Sequence, residues 1–259
     1  WIVDNGYGKR SGESAAGKAF SNRELGPQDH NTLLVYDADG SLLRPPPFCA
    51  LLAAETAGPL TLLQSAIAGH GPTDWLRTIV WIAGAGFLLL DQVNVTGEVS
   101  ELRCQLNMLG EVTLDGASLT CSQHGRWMHA SFEPGSEIST SSYTNESWDS
   151  EFASGAYPHA ESPVKKLDRI MKPATGESIC LAVLIAAGDS PVPPLELAIS
   201  GSEITVRGDL PSAEVALEGH GASAQLADGA LTVRCDERWR VPNDLPRLPA
   251  EDARYSLRV

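Results

Sequence analysis

Short apolar runs separated by turn residues form the main pattern of the chain. The clearest pair is Trp75–Ala83 and Phe87–Gln92, joined by Gly84-Ala85-Gly86, and this arrangement predicts a β-hairpin. The runs are too short for most helices and are rich in residues that favour strands.

A second hairpin is predicted at Phe48–Glu55 and Leu60–Ala68. Both runs are rich in Ala and Leu, which taken alone would favour a helix. Gly58-Pro59 lies between them, however, and a helix would be broken at that point.

Further strands are predicted at short spacing along the chain. They are residues 30–38, Glu101–Met108, Glu111–Leu114, Ala117–Ser122, Arg126–Phe132, Ser178–Ala187, Leu195–Ser200, Glu203–Arg207, Ala213–Glu218, Ala222–Leu226 and Ala230–Cys235. Residues 135–176 are polar and irregular, and within them Val164–Met171 is the one candidate for an amphipathic helix. The pattern predicts an all-β protein with few or no helices, built as a large antiparallel two-sheet β-sandwich.

A Pro-rich joint at Pro191-Val192-Pro193-Pro194 divides the chain into two predicted parts. Residues 1–190 are predicted to form the β-sandwich. Residues 191–259 either continue it or form a small β appendage.

The formal net charge of −14 argues against nucleic acid and anionic membranes as partners. Such partners are held by clustered Lys and Arg. No window approaches the ~18 apolar residues of a transmembrane helix, and no signal peptide is visible. Because Trp1 opens directly in a strand-like run, we expect the chain to be a fragment of a longer protein.

The five cysteines are odd in number, far apart and mostly inside apolar segments. No C-x-x-C spacing occurs, so a zinc knuckle or redox motif is not predicted. We interpret the cysteines as small buried hydrophobic residues, with one disulfide as the alternative.

Asp4 and His30 are the first candidates for chemistry. They occupy comparable positions in two short apolar strands that we expect to be neighbours, so they could supply two ligands to a zinc ion. Zinc needs more ligands than two, and a hydrogen bond between Asp4 and His30 that orients a strand end is the alternative. Asn31 adds a carboxamide, a group suited to a sugar or a metal, at the mouth of the same strand.

Three further residues are candidates for binding a ligand. Arg77 could bind a carboxylate or sulfate with both arms of its guanidinium, although an ion pair with Asp91 is the favoured interpretation. Tyr157 and His159 flank Pro158 in a polar segment and could contact sugar from an exposed loop, or anchor a turn. Motifs of serine hydrolases, zinc proteases and nucleotide-binding proteins are absent from the sequence.

The order of these segments resembles a known family. Val3-Asp4-Asn5-Gly6-Tyr7-Gly8, a polar loop, and His30-Asn31-Thr32-Leu33-Leu34-Val35-Tyr36-Asp37 resemble the start of the β-domain of heparinase II/III-like polysaccharide lyases. Asp74–Val93 is similar to the next hairpin of that family. The resemblance covers residues 1–135 by motif and the remainder by general β character.

The resemblance implies an N-terminal α/α-toroid that packs against this β-sandwich, with the substrate cleft between them. It implies β-elimination on acidic, uronic-acid-containing polysaccharides, with Tyr and His as acid and base and Asn or Arg at the uronate carboxylate. It also implies a structural zinc with Asp4 and His30 among its ligands, a bacterial source, and a periplasmic or secreted location.

The remaining zinc ligands, a His-x-His strand, and the toroid with its catalytic residues would precede Trp1. The chain alone is therefore expected to be inactive and to act as a lyase only with the toroid. A non-catalytic carbohydrate-binding or structural β-module is the alternative.

Overall fold

The computed structural model describes residue 2 and residues 30–46, 48–133, 135, 137–143 and 164–247. Within these ranges all regular structure is β-strand. The strands are β1 (Leu33–Asp37), β2 (Ala50–Ala57), β3 (Leu60–Ile67), β4 (Thr73–Ile82), β5 (Gly86–Val95), β6 (Val99–Met108), β7 (Glu111–Asp115), β8 (Ser118–Gln123), β9 (Arg126–Phe132), β10 (Glu137–Tyr143), β11 (Val164–Met171), β12 (Ser178–Gly188), β13 (Leu195–Ser200), β14 (Glu203–Gly208), β15 (Val215–Glu218), β16 (Ala222–Ala227) and β17 (Ala230–Cys235).

The strands form three antiparallel sheets. The central sheet has the order β2-β3-β4-β5-β12-β9-β8-β7. The front sheet is β1-β6-β11-β10, and the back sheet is β13-β14-β17-β16-β15. The prediction of an all-β antiparallel sandwich without helices is confirmed for the described residues, and the layers number three because residues 195–235 form a sheet of their own.

The central sheet is apolar on both faces. Successive side chains of a strand point to opposite sides, so an uninterrupted run of apolar residues places apolar groups on each face. Leu88 and Leu90 of β5 pack in a cluster with back-sheet residues such as Val206 and Leu231. Leu89, between them in sequence, packs in another cluster with front-sheet residues. Sheets on both sides are therefore needed to remove these side chains from water.

Buried amides tie the back layer to the central sheet. The Gln64 amide nitrogen donates to Thr78 Oγ1 at 2.8 Å and to the His220 carbonyl at 2.9 Å, and its oxygen accepts from the His220 N–H at 2.6 Å. Asn94 donates to the Trp239 carbonyl at 2.9 Å. These bonds fix which loops of the back layer meet which strands of the central sheet.

Two predictions about residues 135–176 are wrong. Val164–Met171 is not a helix but strand β11, hydrogen-bonded between β6 and β10. Glu137–Tyr143, in the segment interpreted as irregular, is the edge strand β10. In both cases the neighbouring strand supplies backbone partners that local sequence does not reveal.

The Pro-rich joint at residues 191–194 lies between β12 and β13. A domain boundary at that point stays a prediction. Among the described residues, no helix is long and apolar enough to cross a membrane.

The cysteines mostly follow the interpretation given above. Cys104, Cys121 and Cys235 are buried, Cys180 is partly buried, and Cys49 is exposed. All five are free thiols.

His70 is fully buried in a tight turn. Its backbone N–H donates to the Thr73 carbonyl at 2.9 Å, and the Thr73 hydroxyl donates to the His70 carbonyl at 2.9 Å. Neither ring nitrogen has a hydrogen-bond partner among the residues that the structure describes. Burial lowers the pKa of the His70 imidazole to about 4, so the ring is neutral in the folded protein.

This burial predicts a specific loss of stability in acid. His70 is protonated below its ordinary pKa of about 6.5 in the unfolded chain, but only near pH 4 in the folded protein. The stabilising contribution of the neutral His70 ring to the free energy of unfolding is therefore complete above pH 6.5 and falls as the pH drops toward 4. At pH 4.5 the loss is about 2–3 kcal/mol. Urea unfolding of the unchanged protein and of His70→Leu at pH 7.5 and pH 4.5 measures it, because the variant should lack this part of the acid destabilisation.

Replacing the exposed His124 by Asn is the matched control, because this position has a positive φ of 52° that Asn tolerates. His124→Asn should lose as much stability in acid as the unchanged protein. Equal acid losses in the His70→Leu variant and the unchanged protein would contradict the assignment.

Candidate functional site

The His30–Thr32 segment lies alongside β6 in the front sheet, on the same side as β1. β1 pairs with β6 so that Leu33 lies opposite Cys104, and the Gln105 N–H donates to the Thr32 carbonyl at 2.9 Å. The Gln105 side chain donates to the His30 carbonyl at 2.9 Å. The segment is therefore an ordered continuation of β1.

Ile2, the described residue of the N-terminal segment, also lies beside β6. Ile2 forms an isolated antiparallel bridge with Met108, while the Asn31 carboxamide oxygen accepts from the N–H of Asn107 at 2.7 Å. Ile2 and Asn31 thus lie beside consecutive residues of β6. Asp4 itself lies outside the described residues, so its pairing with His30 stays a prediction.

A buried ion pair lies beneath this segment. Arg77 and Asp91 are direct cross-strand partners in β4 and β5. The guanidinium donates from Nε to Oδ1 at 2.7 Å and from Nη2 to Oδ2 at 2.8 Å. The Asp91 side chain is 3% exposed and that of Arg77 19%. The predicted pairing of Arg77 with Asp91 is confirmed.

Neighbouring groups complete the coordination of the Asp91 carboxylate. The Trp75 indole N–H donates to Oδ1 at 2.8 Å, and the Cys104 thiol donates to Oδ2 at 3.4 Å. Burial raises the pKa of the Cys104 thiol well above its usual value, and the Asp91 charge raises it further, so Cys104 is a neutral donor. Burial alone would lower the pKa of Arg77, but the charge and hydrogen bonds of Asp91 outweigh it and raise the pKa.

Arg77 also connects this pair to the candidate site. Its Nη1 donates to the carbonyl of Asn31 at 3.1 Å, across the space between the central and front sheets. The guanidinium lies 4.7 Å from the centre of the Trp75 ring. Arg77 thereby positions the His30–Asn31 backbone, and direct substrate binding by Arg77 or Asn31 stays a prediction.

A second polar group, which we call the front polar face, consists of Tyr36, Glu101, Arg103, Lys166 and Asp168. The Arg103 guanidinium lies 4.8 Å from the centre of the Tyr36 ring and pairs with Glu101. Asp168 Oδ2 lies 3.8 Å from the Lys166 ammonium and 4.0 Å from Arg103 Nη1. Phenol, carboxylate, guanidinium and ammonium groups thus lie together on strands adjacent to the His30–Thr32 segment.

Burial shifts the pKa values of two groups of this face. Burial raises the pKa of the Asp168 carboxyl, and the charges of Lys166 and Arg103 offset only part of the effect. Burial also raises the pKa of the Tyr36 phenol. Asp168 Oδ1 is buried without a hydrogen-bond partner in the described part of the chain, so this carboxyl could hold or accept a proton.

Sequence reasoning missed the front polar face. Lys166 and Asp168 lie in the segment that was the one candidate for a helix, and their meeting with Arg103 depends on the pairing of β11 with β6. Opposite charges two residues apart in a strand, at 166 and 168, were the available signal, because such residues share a face of a sheet. Tyr157 and His159 lie outside the described residues, and their predicted sugar contact stays a prediction.

The described residues do not fit a complete zinc site. No group of three His, Cys, Asp or Glu side chains that could hold a metal ion occurs among them. Of the two predicted ligands only His30 is described, and zinc stays a prediction.

Among the solved structures that align with this chain are two named heparinase III and one named heparan sulfate lyase. A heparinase III gene product aligns over 90% of this chain and 34% of its own, with a TM-score of 0.62 and 12% identity. The heparan sulfate lyase HepC from Pedobacter heparinus aligns over 80% of this chain and 33% of its own, with a TM-score of 0.62 and 12% identity. Another heparinase III aligns over 82% and 30%, with a TM-score of 0.57 and 13% identity.

The chain shares its fold with heparan sulfate lyases. The predicted resemblance is thereby confirmed at the level of fold. The chain spans about a third of the length of these lyase structures. No protein-family model matches the sequence, and no curated protein sequence matches it.

The buried pair of Arg77 and Asp91 predicts a large effect of one substitution. Asp91→Asn leaves the Arg77 guanidinium buried without its counter-charge, and we expect it to destabilise the protein by about 3–5 kcal/mol. Urea unfolding at pH 7 measures this loss. The double variant Arg77→Met, Asp91→Leu should be more stable than Asp91→Asn, because no unpaired charge is left.

The exposed pair of Arg234 and Glu203 in the back sheet is the matched control. Glu203→Gln should cost about 1 kcal/mol or less. A loss for Asp91→Asn no larger than that for Glu203→Gln would show that the buried pair is not needed for stability.

Proposed function

We propose that the chain is the C-terminal β-sandwich of a polysaccharide lyase that cleaves uronic-acid-containing polysaccharides by β-elimination together with an N-terminal toroid domain. The observation that carries the proposal is the shared fold over 90% of the chain with a protein named heparinase III. That the chain spans a third of these lyases fits a role as one part of such an enzyme.

In this proposal the front polar face and the His30–Asn31 segment form one wall of the substrate cleft. β-Elimination needs a base for the proton next to the uronate carboxylate, a group that neutralises that carboxylate, and an acid for the leaving oxygen. Arg103 is suited to the second role, because its guanidinium is a partly exposed fork-shaped donor. Base and acid come from the toroid domain, and zinc enters the proposal only as a structural ion that needs ligands beyond the described residues.

The test is turnover by the protein that contains this chain together with its toroid domain. Heparan sulfate, alginate and related polymers are supplied in turn, and the absorbance of the unsaturated uronate product is followed. We expect product from at least one uronate polymer. No product from any of them would overturn the lyase proposal.

Arg103→Ala examines the assigned wall of the cleft. Loss of one charge-assisted contact to the carboxylate should raise KM about tenfold. Arg207→Ala is the matched control, because Arg207 is an exposed arginine of the back sheet. Equal KM values for the two variants would contradict the assignment of the front polar face to the wall of the substrate cleft.

A non-catalytic carbohydrate-binding module is the second candidate, and an exposed apolar patch favours it. Trp81 is 51% exposed and Leu63 39%, and Phe87 lies directly opposite Trp81 in the neighbouring strand. An aromatic ring on an open sheet face gives a flat apolar surface of the kind that marks binding sites.

If the chain is such a module, Trp81→Ala should weaken its retention by polysaccharide gels in affinity electrophoresis at least severalfold. Val192→Ala, which removes another exposed apolar side chain, should leave retention unchanged. Absence of retention for the unchanged chain on every polymer would exclude the binding-module alternative.

A further inference from the structure

Cys180 and Cys235 bring their sulfur atoms together between the central and back sheets. The distance between the two Sγ atoms is 3.2 Å, and the residues are 55 positions apart in the sequence. Cys180 lies in β12 and Cys235 ends β17. We propose that these two residues form a disulfide that covalently joins the back sheet to the central sheet.

The backbone around the pair is already in place for such a bond. Cys180 lies opposite Gln92 in the register of β12 and β5. The Gln92 amide donates to the carbonyl of Gly221 at 3.1 Å and, more weakly, to that of Asp236 at 3.4 Å, the residue after Cys235. The strand end that carries Cys235 is therefore held over the strand that carries Cys180.

The remaining approach is small. A disulfide has a bond length of about 2.05 Å, so the sulfur atoms must move closer by about 1 Å. The carbon chains of both residues already pack in the cluster between the two sheets. Rotation of the two short side chains is the movement that would bring the sulfur atoms to bonding distance.

The pair is also suited to oxidation. The hydrogen bond from the Cys180 thiol lowers the pKa of Cys235, although burial of Cys235 acts in the opposite direction. The same hydrogen bond, together with burial, raises the pKa of Cys180, so Cys235 is the thiol that ionises first. A lowered pKa favours the thiolate, the form that attacks disulfides. Cys180 is also among the residues that line a cavity of about 390 Å³ beside Glu133 and Arg169.

The reaction is thiol–disulfide exchange with a low-molecular-weight disulfide of the glutathione class. Two cysteine thiols and one R–S–S–R give the Cys180–Cys235 disulfide and two R–SH. The S–S bond of the reagent breaks, and its two sulfur atoms take up two electrons and two protons. The two cysteine sulfurs give up these electrons and protons and become joined to each other.

The experiment is refolding of the unchanged protein from urea in a buffer of reduced and oxidised glutathione, which removes any barrier of access. Of the five cysteines, we expect three to react with an alkylating reagent after denaturation, because two are joined. The intact mass should fall by two hydrogen atoms, and a non-reducing digest should give one peptide pair linked through residues 180 and 235. These measurements depend on no variant.

A thermal comparison tests the joining of the sheets. The oxidised protein should have a Tm on the order of 10 °C above that of the reduced protein, since the bond closes a long loop. Cys180→Ala should show no effect of reductant on Tm. Cys49→Ala, at the exposed cysteine, should behave as the unchanged protein does.

Five reactive thiols after refolding with glutathione would overturn the proposal, and so would a bond through Cys49, Cys104 or Cys121. An unchanged Tm on oxidation would refute the joining of the sheets. None of these outcomes depends on lyase activity, so failure here is distinct from failure of the proposed function.

Discussion

The burial of the central sheet on both faces constrains everything else in this fold. β4, β5 and β12 carry apolar side chains at successive positions, as with Leu88, Leu89 and Leu90 of β5. Fully burying such a side chain stabilises a protein by roughly 1.5–3 kcal/mol, so neither face can be left open to water. The front and back sheets follow from that requirement, and the sandwich has three layers for the same reason.

Apolar burial explains why the layers form but not why they meet in one register. Buried polar groups supply that selection, because a misaligned layer would leave them without partners. On the back side, Gln64 is matched to the backbone of His220 and Asn94 to that of Trp239. On the front side, Arg77 is matched to Asp91 and to the carbonyl of Asn31. The interaction that orders the layers therefore also places the His30–Asn31 segment.

The local sequence was sufficient to predict the two hairpins. Gly58-Pro59 and Gly84 mark the turns, and Gly84 has a φ of 81° that few other residues adopt. The register of the Trp75–Ala83 hairpin was enough to suggest the pairing of Arg77 with Asp91, because that pair lies directly across two adjacent strands. These features depend on residues close together in the chain.

Features that depend on distant pairing were not predictable. β10 is rich in Ser and Thr, and β11 has the sequence Val-Lys-Lys-Leu-Asp-Arg-Ile-Met, which lacks an alternating pattern. β11 forms a strand because it pairs with β6, and β10 forms one because it pairs with β11. The front polar face was missed for that reason, since Asp168 meets Arg103 only through this pairing. The number of layers was missed similarly, because nothing local tells which face a hairpin will cover.

The charges of the front polar face limit the part that this chain can have in binding a polyanion. Arg103 and Lys166 are balanced by Glu101 and Asp168, so the face has no net charge, while the chain as a whole carries −14. Long-range attraction of an acidic polymer scales with net charge and falls off within a Debye length of about 10 Å. In the proposed lyase, this wall therefore orients the sugar at contact distance. The attraction must come from basic groups elsewhere in the enzyme, which agrees with a chain that spans about a third of the lyases whose fold it shares.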